Sequence, residues 1–201
     1  MAKTQAIPDQ ETSTEEKIIA AARDLFIQKG YAGTRTRDIA EKAGINLALL
    51  NYYFRSKEKL FALIMTEKME LLFSAILPIS DDATLSLEDK LDLLISNYFD
   101  LLLDHPDLPL FVLGEIKANP AAFREKIQVK TILKDSLLVQ ELRERNPKIE
   151  PVQFILSVLG LVIFPFISRQ VLFTDLEAFQ EAMAKRRKLV KGWLIDMIDN
   201  P

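Results

Sequence analysis

Residues 34–57, TRTRDIAEKAGINLALLNYYFRSK, hold the side chains of this chain best suited to a chemistry, and that chemistry is the non-covalent recognition of DNA. Arg35, Arg37, Arg55, Lys57 and Lys59 are among the cations that lie in the segment or just beyond it. With a screening length of about 8 Å at cellular salt, a phosphate feels these local charges more than distant carboxylates. Between them stand Leu47, Ala48, Leu49, Asn51 and Tyr52, more unpaired faces than one short core helix can bury, and a cationic helix start follows at once. A helical hairpin inside a bundle is the competing reading of Ala40-x-x-x-Gly44 taken alone.

Covalent chemistry is poorly supplied. The chain has no cysteine and one histidine, His105, and no Glu-x-x-His pair, which removes the usual nucleophile dyads, disulfides, thiolate metal sites and di-iron sites. No catalytic residue, metal ligand or cofactor is expected, and cysteine-free composition fits a reducing cytoplasm. At 201 residues and 49% apolar side chains the chain can bury one large core or two modest ones. The net charge of −3 argues against DNA only until the chain is divided. Residues 1–60 carry ten Lys and Arg against eight Asp and Glu, whereas residues 61–201 carry sixteen against twenty-one. The cationic excess is therefore local to the DNA-facing part.

The elements that must position these side chains are helices. Ser13-x-x-Glu16 has the form of a capping box. Behind it Ile18, Ile19, Ala22, Leu25 and Phe26 keep to one helical face, and Gly30 supplies a left-handed stop. Thr34 is expected to cap a second helix whose Thr36, Ile39, Ala40 and Ala43 face the first. Gly44 takes the positive φ of a tight interhelical turn, and Asn46 caps a third helix with Leu50 pointing inward. Residues 1–12 read as a frayed arm without a signal-peptide core.

Thr34 through Phe61, with Arg37-Asp38-Ile39-Ala40, Ala43-Gly44, Tyr53-Phe54 and Ser56-Lys57-Glu58 in register, resembles the DNA-binding signature of the TetR family of bacterial one-component regulators. Ile18–Phe26 matches its first helix, so the resemblance covers about a quarter of the chain. It implies an all-α fold, with a three-helix helix-turn-helix domain over 13–60 joined by a linking helix to a larger ligand-binding and dimerisation domain over 61–201. It implies further that Thr34, Arg35, Thr36, Tyr53 and Lys57 grip phosphates of double-stranded DNA, while Leu47, Ala48, Asn51 and Tyr52, behind the cap Asn46, face the major groove. Ala48 stands where the family often has Gly, and Asn51 where it usually has Tyr. Asn51 can pair in bidentate fashion with adenine, and Leu47 and Ala48 can sense thymine methyls.

Beyond residue 60 the expected helices are Ser56–Leu77, Leu87–Leu103, Leu108–Ala118, Pro120–Arg145, Val152–Leu172 and Leu176–Ile198. Ten of the twelve Phe residues lie here, as core or as the wall of an apolar ligand cavity. Asn97, Tyr98, Phe111, Glu115, Phe164 and Arg169 are the candidate effector contacts, with Pro165 bending the helix that carries two of them. The apolar run Phe154–Ile167 is shorter than the roughly 20 residues a membrane span needs and reads as a buried helix. The last two helices resemble in position the family's homodimer interface, and the run Lys185–Lys188 reads as a solvated face rather than a second nucleic-acid patch. The function expected is a homodimeric repressor of a palindromic operator controlled by an apolar small molecule. The alternatives are a helical scaffold binding DNA or a partner without an effector, and, least of all, an enzyme.

Overall fold

The computed structural model describes residues 13–127 and 136–200, in which every regular element is a helix. The chain divides into two compact units, Met1–Thr66 and Glu67–Pro201. The first holds α1 (Thr14–Gly33), α2 (Thr36–Lys42), α3 (Leu47–Tyr53) and the start of α4 (Lys57–Ser74), which runs on into the second. The capping box forms as the sequence predicts: Glu16 N–H donates to Ser13 Oγ at 3.2 Å and Ser13 N–H to Glu16 Oε2 at 2.8 Å. Ile18, Ala21, Ala22, Leu25 and Phe26 form the buried face of α1. Gly30, at φ +67°, breaks its regular helix where expected. The rings of Phe26, Tyr31 and Phe61 close one side of this small core, with centroids 4.9–6.2 Å apart.

The second unit adds α5 (Leu77–Ser80), α6 (Leu87–Asp104), α7 (Leu108–Ala118), α8 (Pro120–Ile127), α9 (Leu137–Arg145), α10 (Pro151–Ile167), α11 (Arg169–Leu172) and α12 (Leu176–Asp199). Its core is built on α6, where Leu91, Ile95, Phe99 and Leu102 recur at helical spacing. They meet Phe154, Val162 and Phe166 of α10 and Phe179, Met183, Val190, Leu194 and Ile198 of α12. Ser86, Ser136 and Asp175 cap α6, α9 and α12 by accepting from the backbone N–H three residues on.

Three expected helices differ in extent. The first of them stops at Ser74, and Pro78 then sits in the first turn of α5, a position where its missing N–H costs nothing. Pro120–Arg145 is not one helix: Ser136 has extended backbone and starts α9 afresh, while 128–135 fall outside the described residues. Val152–Leu172 is interrupted at Ser168, whose hydroxyl donates back to Phe164 O at 2.9 Å. The predicted arm at 1–12 also lies outside the described residues. No described helix is long and apolar enough to cross a membrane.

One polar feature interrupts this core. Lys90 is wholly buried on α6, and its ammonium meets Glu141 Oε1 of α9 at 2.6 Å. The second oxygen, Glu141 Oε2, is buried with no hydrogen-bond partner among the described residues.

Candidate nucleic-acid interface

The turn between α2 and α3 is a Schellman motif. Ile45 N–H donates to Ala40 O and Gly44 N–H to Glu41 O, both at 3.0 Å, with Gly44 at φ +69°. Asn46 then has extended backbone, and its Oδ1 accepts from Leu49 N–H at 2.8 Å, so it caps α3 as its residue type predicts. Lys42 pairs with Asp24 of α1 at 3.0 Å, and Ile39 and Ala40 are buried, which holds α2 against α1. Within α3 only Leu50 is buried. Leu47 and Leu49 are half-buried, Ala48 and Asn51 exposed, and Tyr52 is 79% exposed with its ring edge-on to that of Tyr53. The helix thus offers an amide, a phenol and small apolar groups to solvent on a rigid seat.

Two expected phosphate ligands have their side chains engaged inside the unit. Thr34 is not the cap of α2; Arg35 occupies that position, with no side-chain capping bond. Thr34 is buried, and its single hydroxyl proton is shared between Gly30 O at 2.8 Å and Leu25 O at 3.1 Å, which ties the start of the second helix to the end of the first. Lys57 donates to Tyr31 O at 2.9 Å and Thr34 O at 3.0 Å, with its ammonium 4.0 Å from the Tyr31 ring centroid. The next residue completes the clamp: Tyr31 hydroxyl donates to Glu58 Oε1 at 2.5 Å. That bond, with bonds from backbone N–H and Ser56, holds the Glu58 carboxyl below its ordinary range. Arg35, Arg37, Arg55 and Lys59 remain exposed, Thr36 is half-buried and Tyr53 is 41% exposed. Sequence reasoning missed Tyr31 and Glu58, which lie 27 residues apart and share no periodicity. The available signal was an aromatic just after a helix stop and a Lys-Glu pair at a helix start.

The effector candidates of the second unit do not all converge. Phe111 is buried, and Tyr98 is sufficiently enclosed for burial to push its phenol up to about 12. Arg169 lies 5.5 Å from the Phe179 ring, in a chain of ring contacts linking Phe99, Phe166, Phe179 and Phe173. Glu115 is half-buried on α7. Asn97 and Phe164 face outward, Phe164 at 61% exposure, because the helical period that turns Val162, Pro165 and Phe166 into the core turns residue 164 away from it. Within the basic run Lys185 pairs with Glu181, Arg187 with Asp100, and Arg186 donates to Leu161 O, while Lys188 is exposed. The expected solvated face describes Lys185 and Lys188, whereas Arg186 and Arg187 are half-buried and bonded within the unit.

Residues 18–64 match TetR_N, the bacterial regulatory proteins of the tetR family. Over 165 residues, 79% of either chain, the sequence is 30% identical to the probable HTH-type transcriptional regulator YttP of Bacillus subtilis (strain 168). The fold matches the ketosteroid transcriptional regulator KstR2 of Mycobacterium tuberculosis with a TM-score of 0.67 at 19% identity, covering 91% of this chain and 95% of that one. It matches the fatty acid degradation regulator FadR of Bacillus halodurans at 0.64 and 19%, covering 90% and 96%. With the Schellman turn between two short helices, the outward α3 and an all-helical second unit, these likenesses place the chain in the TetR family of transcriptional regulators.

Proposed function

We propose that this regulator is a homodimeric repressor acting in the cytoplasm on a near-palindromic DNA operator, released by an apolar small molecule. The observation that carries the DNA half is the seating of α3 on Leu50 alone, which leaves Leu47, Ala48, Asn51 and Tyr52 available to base edges. Arg35, Thr36, Tyr53 and the N-terminal backbone of α4 take the phosphates. Lys57, Thr34 and Asn46 hold the helices that present those groups. Two such heads related by a twofold axis read half-sites about 34–36 Å apart, one turn of DNA.

The dimer reading draws on the outer faces of α10 and α12. Val152, Leu156, Leu159 and Gly160 recur at helical spacing on α10, with Leu156 56% exposed, and Leu189 and Trp193 do so on α12 at 53% and 39%. Contiguous apolar surface of this kind marks an association site. For the effector, an apolar molecule is supported by the aromatic interior around Tyr98, Phe166 and Phe179, with Phe111, Glu115 and Arg169 as proposed further contacts. The ketosteroid and fatty-acid regulators of like fold carry names that agree with it. Release requires that the ligand favour one spacing of the two heads.

Selection of bound duplexes from a random library tests the reading. Wild-type protein should enrich a palindrome; Asn51→Ala should change the preference at one symmetric base pair by about 1–3 kcal/mol, and Arg35→Ala should weaken all sequences alike. Failure to enrich any motif would overturn it. A thermal-shift screen of acyl and steroid acids tests the effector, since ligand at 100 times its Kd adds roughly 2.7 kcal/mol to stability. The mutual packing of Phe99, Phe166, Phe179 and Phe173 favours the scaffold alternative, which predicts no shift.

A further inference from the structure

Arg186 is tied to a defect in α10. Pro165 has no N–H, so the carbonyl four residues back, Leu161 O, has no donor in its own helix. Arg186 of α12 fills the gap, its Nε donating to Leu161 O at 2.9 Å, and its guanidinium rests over the Trp193 ring at 5.5 Å. The side chain is thereby fixed at the edge of the apolar face of α12, and its terminal Nη groups have no acceptor among the described residues. One turn beyond Trp193, Asp196 is exposed and likewise holds no ion pair among the described residues. Of the neighbouring charges, Arg187 pairs with Asp100, Lys191 with Asp92 and Asp199 with Arg145, while Lys188, exposed two residues on, projects from the opposite side of the helix. Within one chain Arg186 and Asp196 cannot meet, since ten residues of helix separate them by about 15 Å along the axis.

We propose that Arg186 and Asp196 form two reciprocal ion pairs across the twofold axis of the dimer and set its register. This rests on the dimer reading above. In a twofold interface, if residue i meets residue j of the other copy, j meets i. An antiparallel crossing of the two α12 helices at the level of Lys191 sets Arg186 against Asp196 of the partner subunit and Leu189 against Trp193 of the partner subunit, because both pairs are symmetric about that level. At that level the Lys191 ammonium turns away to Asp92 at 2.9 Å. Gly192 beside it is exposed, and a Cβ there would meet nothing within 4 Å in its own chain. A mid-helix glycine without an intrachain reason, on this face, allows a second helix to approach closely. The apolar pair supplies burial, and the charged pair rejects other registers, in which like charges or unpaired ones would be enclosed.

The test is a double-mutant cycle on the full chain, read as the dimer dissociation constant by sedimentation, with Arg186→Met, Asp196→Asn and the double variant. All substitutions lie at exposed or half-buried positions, and helical circular dichroism verifies folding. Coupling of about tenfold or more between the two sites is expected, and Asp196→Lys should weaken the dimer by at least as much by facing Arg186 with a like charge. As the two residues cannot touch within a chain, such coupling reports the partner's contact. Effects that multiply independently, or an Asp196→Lys dimer as tight as the wild type, overturn the pairing while leaving the dimer in place. A wild-type chain that stays monomeric at every concentration overturns the dimer reading and the pairing with it.

Discussion

At the scale of the residue, Lys57 shows how a family signature and a geometry divide the work. The Ser56-Lys57-Glu58 run marks the end of the DNA-binding head in sequence, and the charge of Lys57 reads naturally as a phosphate ligand. In the fold that charge bridges Tyr31 O and Thr34 O, so Lys57→Met should lower the head's stability by about 1–3 kcal/mol, measured by urea denaturation, as well as weaken DNA binding. Tyr31→Phe should bring the Glu58 carboxyl back toward 4.5, read by NMR titration. Because the folded value is depressed, the stability gained through this bond is fully present above 4.5 and is lost as pH falls through the lower folded value. The wild-type and Tyr31→Phe unfolding curves should therefore converge in acid. Asn46 was legible because a cap is decided by the three residues after it. The roles of Tyr31 and Thr34 were not, since their partners are set by how α1 and α4 pack.

At the scale of the element, the turn between α2 and α3 was readable to the residue. Ala40, Gly44 and Asn46 are each demanded by local backbone geometry. Gly44→Ala meets no steric obstacle, so its cost should be the backbone alone, about 1–2 kcal/mol for a side chain at φ +69°, measured as a shift in the urea midpoint. Helix ends elsewhere were less legible, as at Ser136 and Ser168, where a cap or a back-bonding hydroxyl overrides an apolar pattern that continues past it. The α6–α9 contact was invisible in sequence, because a lysine on an apolar helix face is ordinarily solvated. Glu141→Ala would leave the buried Lys90 ammonium unpaired and should cost about 2–4 kcal/mol, while Lys90→Met with Glu141→Leu should restore most of that loss. Equal destabilisation by the single and double changes would show that packing, not charge, governs the site.

At the scale of the whole molecule, charge is partitioned rather than averaged. The head's small cationic excess sits in a chain of net charge −3, so DNA affinity should fall steeply with salt, and Arg35→Ala should flatten the slope of log K against log salt by about 1. The outward placement of Phe164 belongs to this scale too. From sequence it reads as a cavity residue, because aromatic weight alone does not tell an inner wall from an outer face, and only the α6–α10–α12 core decides between them. A helix held to its unit by one buried side chain has a further consequence. Replacements at Ala48, Asn51 and Tyr52 touch almost nothing that keeps the head folded, so α3 is free to drift in address while the scaffold stays put. A new target can then arise by point mutation without first acquiring spare stability, which makes this head a ready substrate for both gene duplication and laboratory re-targeting.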